Sequence, residues 1–301
     1  MFTPHFLDFS DTIGIVSTAR KITSLELQPL IHLIESWELK YVLGKTIDTE
    51  SDQFAGDDAT RILDFQTMLN DPKVKAIWCA RGGYGTIRII DQLDFSAFIK
   101  NPKWIIGYSD VTVLHSHIHS LGIETLHANM AIDIDSKAEE TRISIKKVLF
   151  GMDYKITLAS DNPLNRNGYA NGVLIGGNLS ILYSLIGSSS ALITNGKILF
   201  IEDLDEMLYH IDRMMQTLKR SGALKNIKGL VVGGMNDMKD NAVPFGKTAE
   251  EIILATVSEY NFPVCFGFPS GHINDNRALI LGREIQLKVD RNKVTLEFNQ
   301  G

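Results

Sequence analysis

The sequence has 301 residues, of which 44% are apolar and 22% charged. That is ordinary globular usage, with chain enough for one large or two medium domains and a core that needs no staples. The 24 glycines and 8 prolines exclude a collagen-like or low-complexity chain, and a net charge of −6 argues against a nucleic-acid partner, which would need a basic surface.

Short apolar runs alternate with amphipathic stretches. Residues 13–16 read as a strand, and Leu25, Leu27, Leu30, Ile31, Ile34 and Trp37 follow at helical spacing. A strand over 41–43 precedes Asp57, which can cap a helix that carries Ile62, Leu63, Phe65, Met68 and Leu69 inward. Strands follow at 74–79 and 104–108. The first runs into the turn Arg81-Gly82-Gly83-Tyr84-Gly85, the second into a helix over 110–120. The polar stretch 159–171, rich in Asn, Gly and Pro, reads as a linker. Beyond it, strands at 172–175, 198–201 and 229–232 alternate with helices at 178–186, 207–218 and 249–260. The tail, 278–298, leaves no room for helices and reads as antiparallel strands. This alternation predicts α/β architecture, a mostly parallel sheet with helices on its faces. Two α/β domains are expected, 1–160 and 161–301, with a small-molecule site in the cleft between them.

Cys79 and Cys265 form no C-x-x-C pair, so two buried thiols in a reducing compartment are expected rather than a disulfide or a zinc site. The amino terminus shows no basic start followed by an apolar run and a cleavage site, which predicts a cytoplasmic protein. The segment between Arg166 and Lys197 carries no charge. Gly176, Gly177, Asn178 and the serines at 188–190 interrupt it short of the ~18 apolar residues of a membrane span, so no membrane partner is expected.

Several motifs fail on inspection. Gly-Lys-Thr occurs at Gly44 and Gly246, but the glycine that opens a phosphate loop is replaced by Leu39 and Asn241. Gly83-Tyr84-Gly85 begins a dinucleotide fingerprint that ends on Arg88 instead of glycine. His115 and His119 share a helical face, yet no carboxylate or cysteine ligand sits beside them, so neither metal nor cofactor is expected.

Three segments carry chemistry. In Gly107-Tyr108-Ser109-Asp110-Val111-Thr112 a serine sits where a strand gives way to a helix. It can simply cap that helix, or act as a nucleophile with the helix N-terminus stabilising negative charge. Val111 replaces the last glycine of a G-x-S-x-G elbow. In Leu199-Phe200-Ile201-Glu202-Asp203 an apolar strand delivers carboxylates to its C-terminal end, as a site or as a cap. In Pro269-Ser270-Gly271-His272 a loop holds a histidine suited to a general base, or to nothing. Their order, Ser, Glu, His, is that of one known triad arrangement.

Together with Arg81-Gly82-Gly83-Tyr84-Gly85, Gly176-Gly177-Asn178-Leu179 and Ile211-Asp212-Arg213, these segments resemble the LD-carboxypeptidase (muramoyltetrapeptide carboxypeptidase) family, which includes microcin C self-immunity peptidases. The resemblance runs in family order across nearly the whole chain. It implies an N-terminal flavodoxin-like domain, a C-terminal swivelling β/α domain, a metal-independent mechanism and a homodimer. It makes Ser109 the nucleophile, His272 the base and Glu202 its partner. Many members carry a proline and serines after the first strand, at the substrate end of the site, where this chain has Ser17-Thr18-Ala19-Arg20. The expected reaction removes D-alanine from the L-configured centre of a murein tetrapeptide. The Asp110 N–H and an N–H of Gly82 or Gly83 are the expected oxyanion donors. Arg81, then Arg213 and Arg277, are the expected partners of the substrate carboxylate. Two other readings remain open at this stage: immunity-type cleavage of an aminoacyl-nucleotide, and a non-catalytic ligand-binding α/β module.

Overall fold

The computed structural model describes residues 1–299. Its first part runs β1 (Thr12–Val16), α1 (Gln28–Ser36), β2 (Lys40–Leu43), α2 (Asp58–Asn70), β3 (Val74–Cys79), α3 (Ser96–Lys100), β4 (Trp104–Gly107), α4 (Thr112–Ser120), β5 (Thr125–His127) and α5 (Glu139–Leu149). The five strands are parallel in the order β2-β1-β3-β4-β5, which is the flavodoxin-like order. β3 and β4 are nearly continuous apolar runs because helices cover both faces of the sheet. Asp57 caps α2 as expected, accepting the Thr60 N–H at 2.8 Å. Leu63 departs from the expected inward stripe and is 61% exposed, while Phe65, Met68 and Leu69 are buried.

The second part runs β6 (Lys155–Ala159), β7 (Gly168–Asn178), α6 (Leu179–Ser184), β8 (Ile198–Leu204), α7 (Leu208–Arg220), β9 (Gly229–Asn236), α8 (Ala249–Thr256), β10 (Val264–Cys265), β11 (Leu279–Leu281), β12 (Glu284–Asp290) and β13 (Lys293–Phe298). β10-β9-β8-β7 is a parallel core, extended antiparallel by β12, β13 and β6. The expected linker is therefore shorter than the sequence implied. Residues 168–171 are the first half of β7, held by β12 from more than a hundred residues away. Only alternate positions there are buried, so no apolar run marks the strand. β6 already belongs to the second sheet, and β11 returns to the first, pairing antiparallel with β5.

Both cysteines are buried free thiols, and burial raises each to about 12. No helix among the described residues is long and apolar enough to cross a membrane.

Candidate active site

Parallel strands from both sheets end at one cavity of about 600 Å³, the position where α/β folds gather ligands. The segment after β1 contributes Arg20, the turn after β3 contributes Arg81, Gly82 and Gly83, and the end of β4 contributes Tyr108 and Ser109. From the second sheet, β7 brings Asn178, the end of β8 brings Asp203 to Glu206, and the loop after β10 brings His272.

Ser109 has a φ of +61°, a left-handed conformation that costs a non-glycine residue about 1 kcal/mol or more. The turn is held by Val111 N–H on Tyr108 O at 3.2 Å and by the buried Asp110 carboxylate, which accepts the Thr86 N–H at 2.9 Å. Ser109 does not cap α4: the helix starts without a side-chain cap. Its hydroxyl faces the cavity instead. Asp110 thereby ties the Ser109 turn to the glycine-rich turn. A Cβ on Gly82 would lie 3.3 Å from the Ser109 Cβ, so the two turns are in contact. The N–H groups of Gly82, Gly83 and Asp110 donate to no other protein group among the described residues, and remain free for an anion. Arg61, fully buried beneath this turn, donates to Thr18 O and Gly85 O at 2.7 and 3.0 Å.

Glu202 is completely buried at the end of β8. Its Oε2 accepts both the His272 Nδ1–H at 2.7 Å and the His272 backbone N–H at 3.2 Å. A carboxylate only accepts, so Nδ1 carries the proton and the neutral imidazole keeps its Nε2 lone pair free. Gly271 allows this approach. Its φ is +104°, and a Cβ there would lie 2.6 Å from Glu202 Oε2. Burial pulls the His272 pKa down, but the Glu202 charge and hydrogen bond outweigh it, and the group titrates above its ordinary 6.5. Burial pushes Glu202 up, and His272 reverses that, leaving it below 4.5. The Tyr108 ring packs 4.6 Å from the imidazole, centre to centre. Ser109 and His272 line the same cavity, although no hydrogen bond joins their side chains. Such contacts often tighten only around a bound substrate.

Asp203 points the other way. It accepts the Asn178 Nδ2–H at 3.0 Å, the Ser180 N–H at 2.9 Å and the Leu204 N–H at 2.9 Å. Burial and the neighbouring Glu202 charge push it up to about 7 against those donors. It fastens the start of α6 to the end of β8.

The expected arginines separate. Arg81 lines the cavity, donates to Lys21 O at 3.2 Å and lies 3.6 Å from Glu26. Arg213 is exposed on α7, stacked on Tyr209 and not among the cavity-lining residues. Arg277 forks onto Asp275 at 2.8–3.1 Å, likewise outside the lining. Arg20, which the sequence reading placed in the segment at the substrate end of the site but not among the carboxylate partners, lines the cavity. The signal for it was only its position after β1. His115 has both nitrogens engaged. Nε2 donates to Gly107 O, so Nδ1 accepts from Thr125 Oγ1, each at 2.9 Å. That buried ring supports α4 and has no lone pair left for a metal.

The amino-terminal part matches the LD-carboxypeptidase N-terminal domain over residues 13–128, and the remainder matches the LD-carboxypeptidase C-terminal domain over residues 171–287. The chain is 33% identical over 306 residues to a Bacillus subtilis protein named "Probable murein peptide carboxypeptidase", covering 98% of this chain and 94% of that one. It is 26% identical over 325 residues to the microcin C7 self-immunity protein MccF of Escherichia coli, covering 96% and 94%. The crystal structure of muramoyltetrapeptide carboxypeptidase from Oxalobacter formigenes superposes with a TM-score of 0.87 at 27% identity, over 96% of this chain and 98% of that one. With both domain matches in order and similarity along its whole length, the chain belongs to the LD-carboxypeptidase family.

Proposed function

We propose that this serine-type hydrolase is an LD-carboxypeptidase acting on murein tetrapeptide, with Ser109, His272 and Glu202 as its triad. The observation that carries the reading is the Glu202–His272 bond of 2.7 Å, with the acid fully buried and the imidazole opening on the cavity that Ser109 lines. His272 Nε2 takes the Ser109 proton as Oγ attacks the carbonyl carbon of the L-centre. The carbonyl oxygen becomes an oxyanion facing the N–H groups of Asp110 and of Gly82 or Gly83. His272 then passes the proton to the D-alanine nitrogen, and the C–N bond breaks. Water, deprotonated by the same imidazole, attacks the acyl-enzyme and regenerates Ser109. The first part of the chain, through α5, brings the nucleophile, with the 1–160 boundary drawn back to the start of β6. The second part, from β6 onward, brings the acid and the histidine. A homodimer in the cytoplasm belongs to the same reading, and light scattering tests the dimer.

Cleavage of an aminoacyl-nucleotide with the same triad is less well supported. Tyr108, the one aromatic ring besides His272 among the lining residues, lies against that histidine rather than open to a base. The deciding experiment is mass spectrometry of the protein incubated with murein tetrapeptide. Loss of a single alanine that disappears in Ser109→Ala is expected. An intact peptide refutes the reading, and failure of a fluorophosphonate to label Ser109 favours a binding module.

A further inference from the structure

A carboxypeptidase must distinguish a free terminal carboxylate from an internal amide, and a guanidinium fixed beside the reacting carbon does this in two-pronged fashion. Several arginines are already spent. Arg61 and Arg88 are on Asp58, Arg277 is on Asp275, and Arg283 is on Glu124. Arg166 donates to the carbonyls of Val257 and Tyr260. Arg81 is drawn toward Glu26 and Lys21 O. Arg20 lines the cavity and pairs with no carboxylate among the described residues.

Its backbone is fixed from both sides. The Arg20 N–H donates to Gly82 O at 3.4 Å, and Arg20 O accepts from Ser17 Oγ at 2.6 Å. The side chain then crosses Gly83, where a Cβ would lie 2.6 Å from Arg20 Cδ and 2.7 Å from Nε. Glycine at 83 thus makes room for the arginine, on the same turn whose preceding residue abuts Ser109. The Arg20 cation is thus carried on the turn that touches Ser109, at the cavity that both line.

We propose that Arg20 binds the terminal carboxylate of the substrate. The inference rests on the peptidase reading for the kind of ligand, but the binding it describes is measurable without turnover. The test uses the full chain as Ser109→Ala and two probes: murein tetrapeptide, and the same peptide with its terminal carboxylate converted to a carboxamide. Calorimetry is expected to show the acid binding at least about 20-fold more tightly than the amide, the factor a charge-assisted pair of hydrogen bonds supplies. Adding Arg20→Ala should bring the two affinities within about threefold, chiefly by weakening the acid, and Arg20→Lys should fall between. Discrimination that survives Arg20→Ala overturns the proposal, as does a parent protein that binds both probes equally or neither. Turnover separates the two readings. Arg20-dependent binding without release of D-alanine by the Ser109 protein refutes the peptidase and keeps the anchor. Release of D-alanine with discrimination indifferent to Arg20 does the reverse.

Discussion

Glu202 and Asp203 are neighbours with the same charge and opposite tasks, because successive side chains of β8 face opposite ways. One accepts from His272, the other from the start of α6. Glu202→Gln keeps the shape but removes the charge and places an amide where an acceptor is needed. It is expected to lower kcat by at least about a hundredfold. Asp203→Asn should cost less than about tenfold in kcat and appear mainly as a lower Tm, since its amide would face N–H donors. Reversed results would make Asp203 the triad acid. The pH profile follows from the same pair. In the proposed mechanism His272 works neutral, and Glu202 raises its pKa above 6.5, so kcat/KM should fall as pH drops through a value above 6.5. In Glu202→Gln the largest influence opposing burial is gone, and the limb of the residual activity should move to lower pH. For stability the sign is opposite. The His272 contribution is full below the unfolded value near 6.5 and is lost as pH rises through the raised folded value. The Glu202 contribution is present above 4.5 and is lost as pH falls through its lowered value. In the sequence Ser109 and Glu202 stood out at strand ends and His272 in a Pro/Gly loop, each with a structural alternative, and the family resemblance supplied their proposed roles. The arginines were not legible, because whether a guanidinium is free depends on which acid the fold sets beside it: Asp275 takes Arg277, and no carboxylate among the described residues pairs with Arg20.

At the scale of elements, the Gly-Gly-Asn run explains how the two halves of the site are aligned. β7 ends against α4. A Cβ on Gly177 would lie 2.5 Å from Thr112 Oγ1, and the Asn178 N–H donates to that oxygen at 3.0 Å. The Asn178 Oδ1 caps α6 through Ile181 N–H, while its Nδ2 reaches Asp203. One residue therefore joins α4 to the end of β8, beside Glu202. Thr112→Val keeps the shape and strands a buried N–H. Urea denaturation should show a loss of about 1–3 kcal/mol, and kcat should fall with KM little changed, since α4 carries the Ser109 turn. Full stability in that variant would remove Asn178–Thr112 as the joint. Elements missed by sequence reasoning share a physical cause. α5 turns Thr141 and Ser144 inward, where they meet the N–H groups of Asn276 and Ala278. The apolar stripe of α5 is confined to Ile145, Val148 and Leu149 in its second half, too short a run for the helical period to declare itself. β5 has three residues, too few for a periodicity to declare itself.

Over the whole molecule, the two sheets are not joined by a simple linker. After β10 the chain passes His272, enters the first sheet as β11 and returns to the second as β12. Between these last two strands Arg283 forks onto Glu124, just before β5, at 2.6–3.1 Å, with Thr3 also accepting from the guanidinium at 3.2 Å. Both side chains are nearly buried, at 8% and 5% exposure. Removing one charge leaves the other without a partner in a low-dielectric setting, so Glu124→Gln should cost about 3–5 kcal/mol in denaturant unfolding. Replacing both, as Glu124→Leu with Arg283→Met, should recover most of that loss, because an apolar pair of similar volume spares the desolvation of two ions. The loop that holds His272 leads straight into β11, which Glu124 and Arg283 flank, so Glu124→Gln should also lower kcat although it lies outside the cavity. The shared strands further predict that fluorescence and circular dichroism report one coincident transition. Two separated transitions would mean that the sheets unfold independently and that the crossing segment does not couple them.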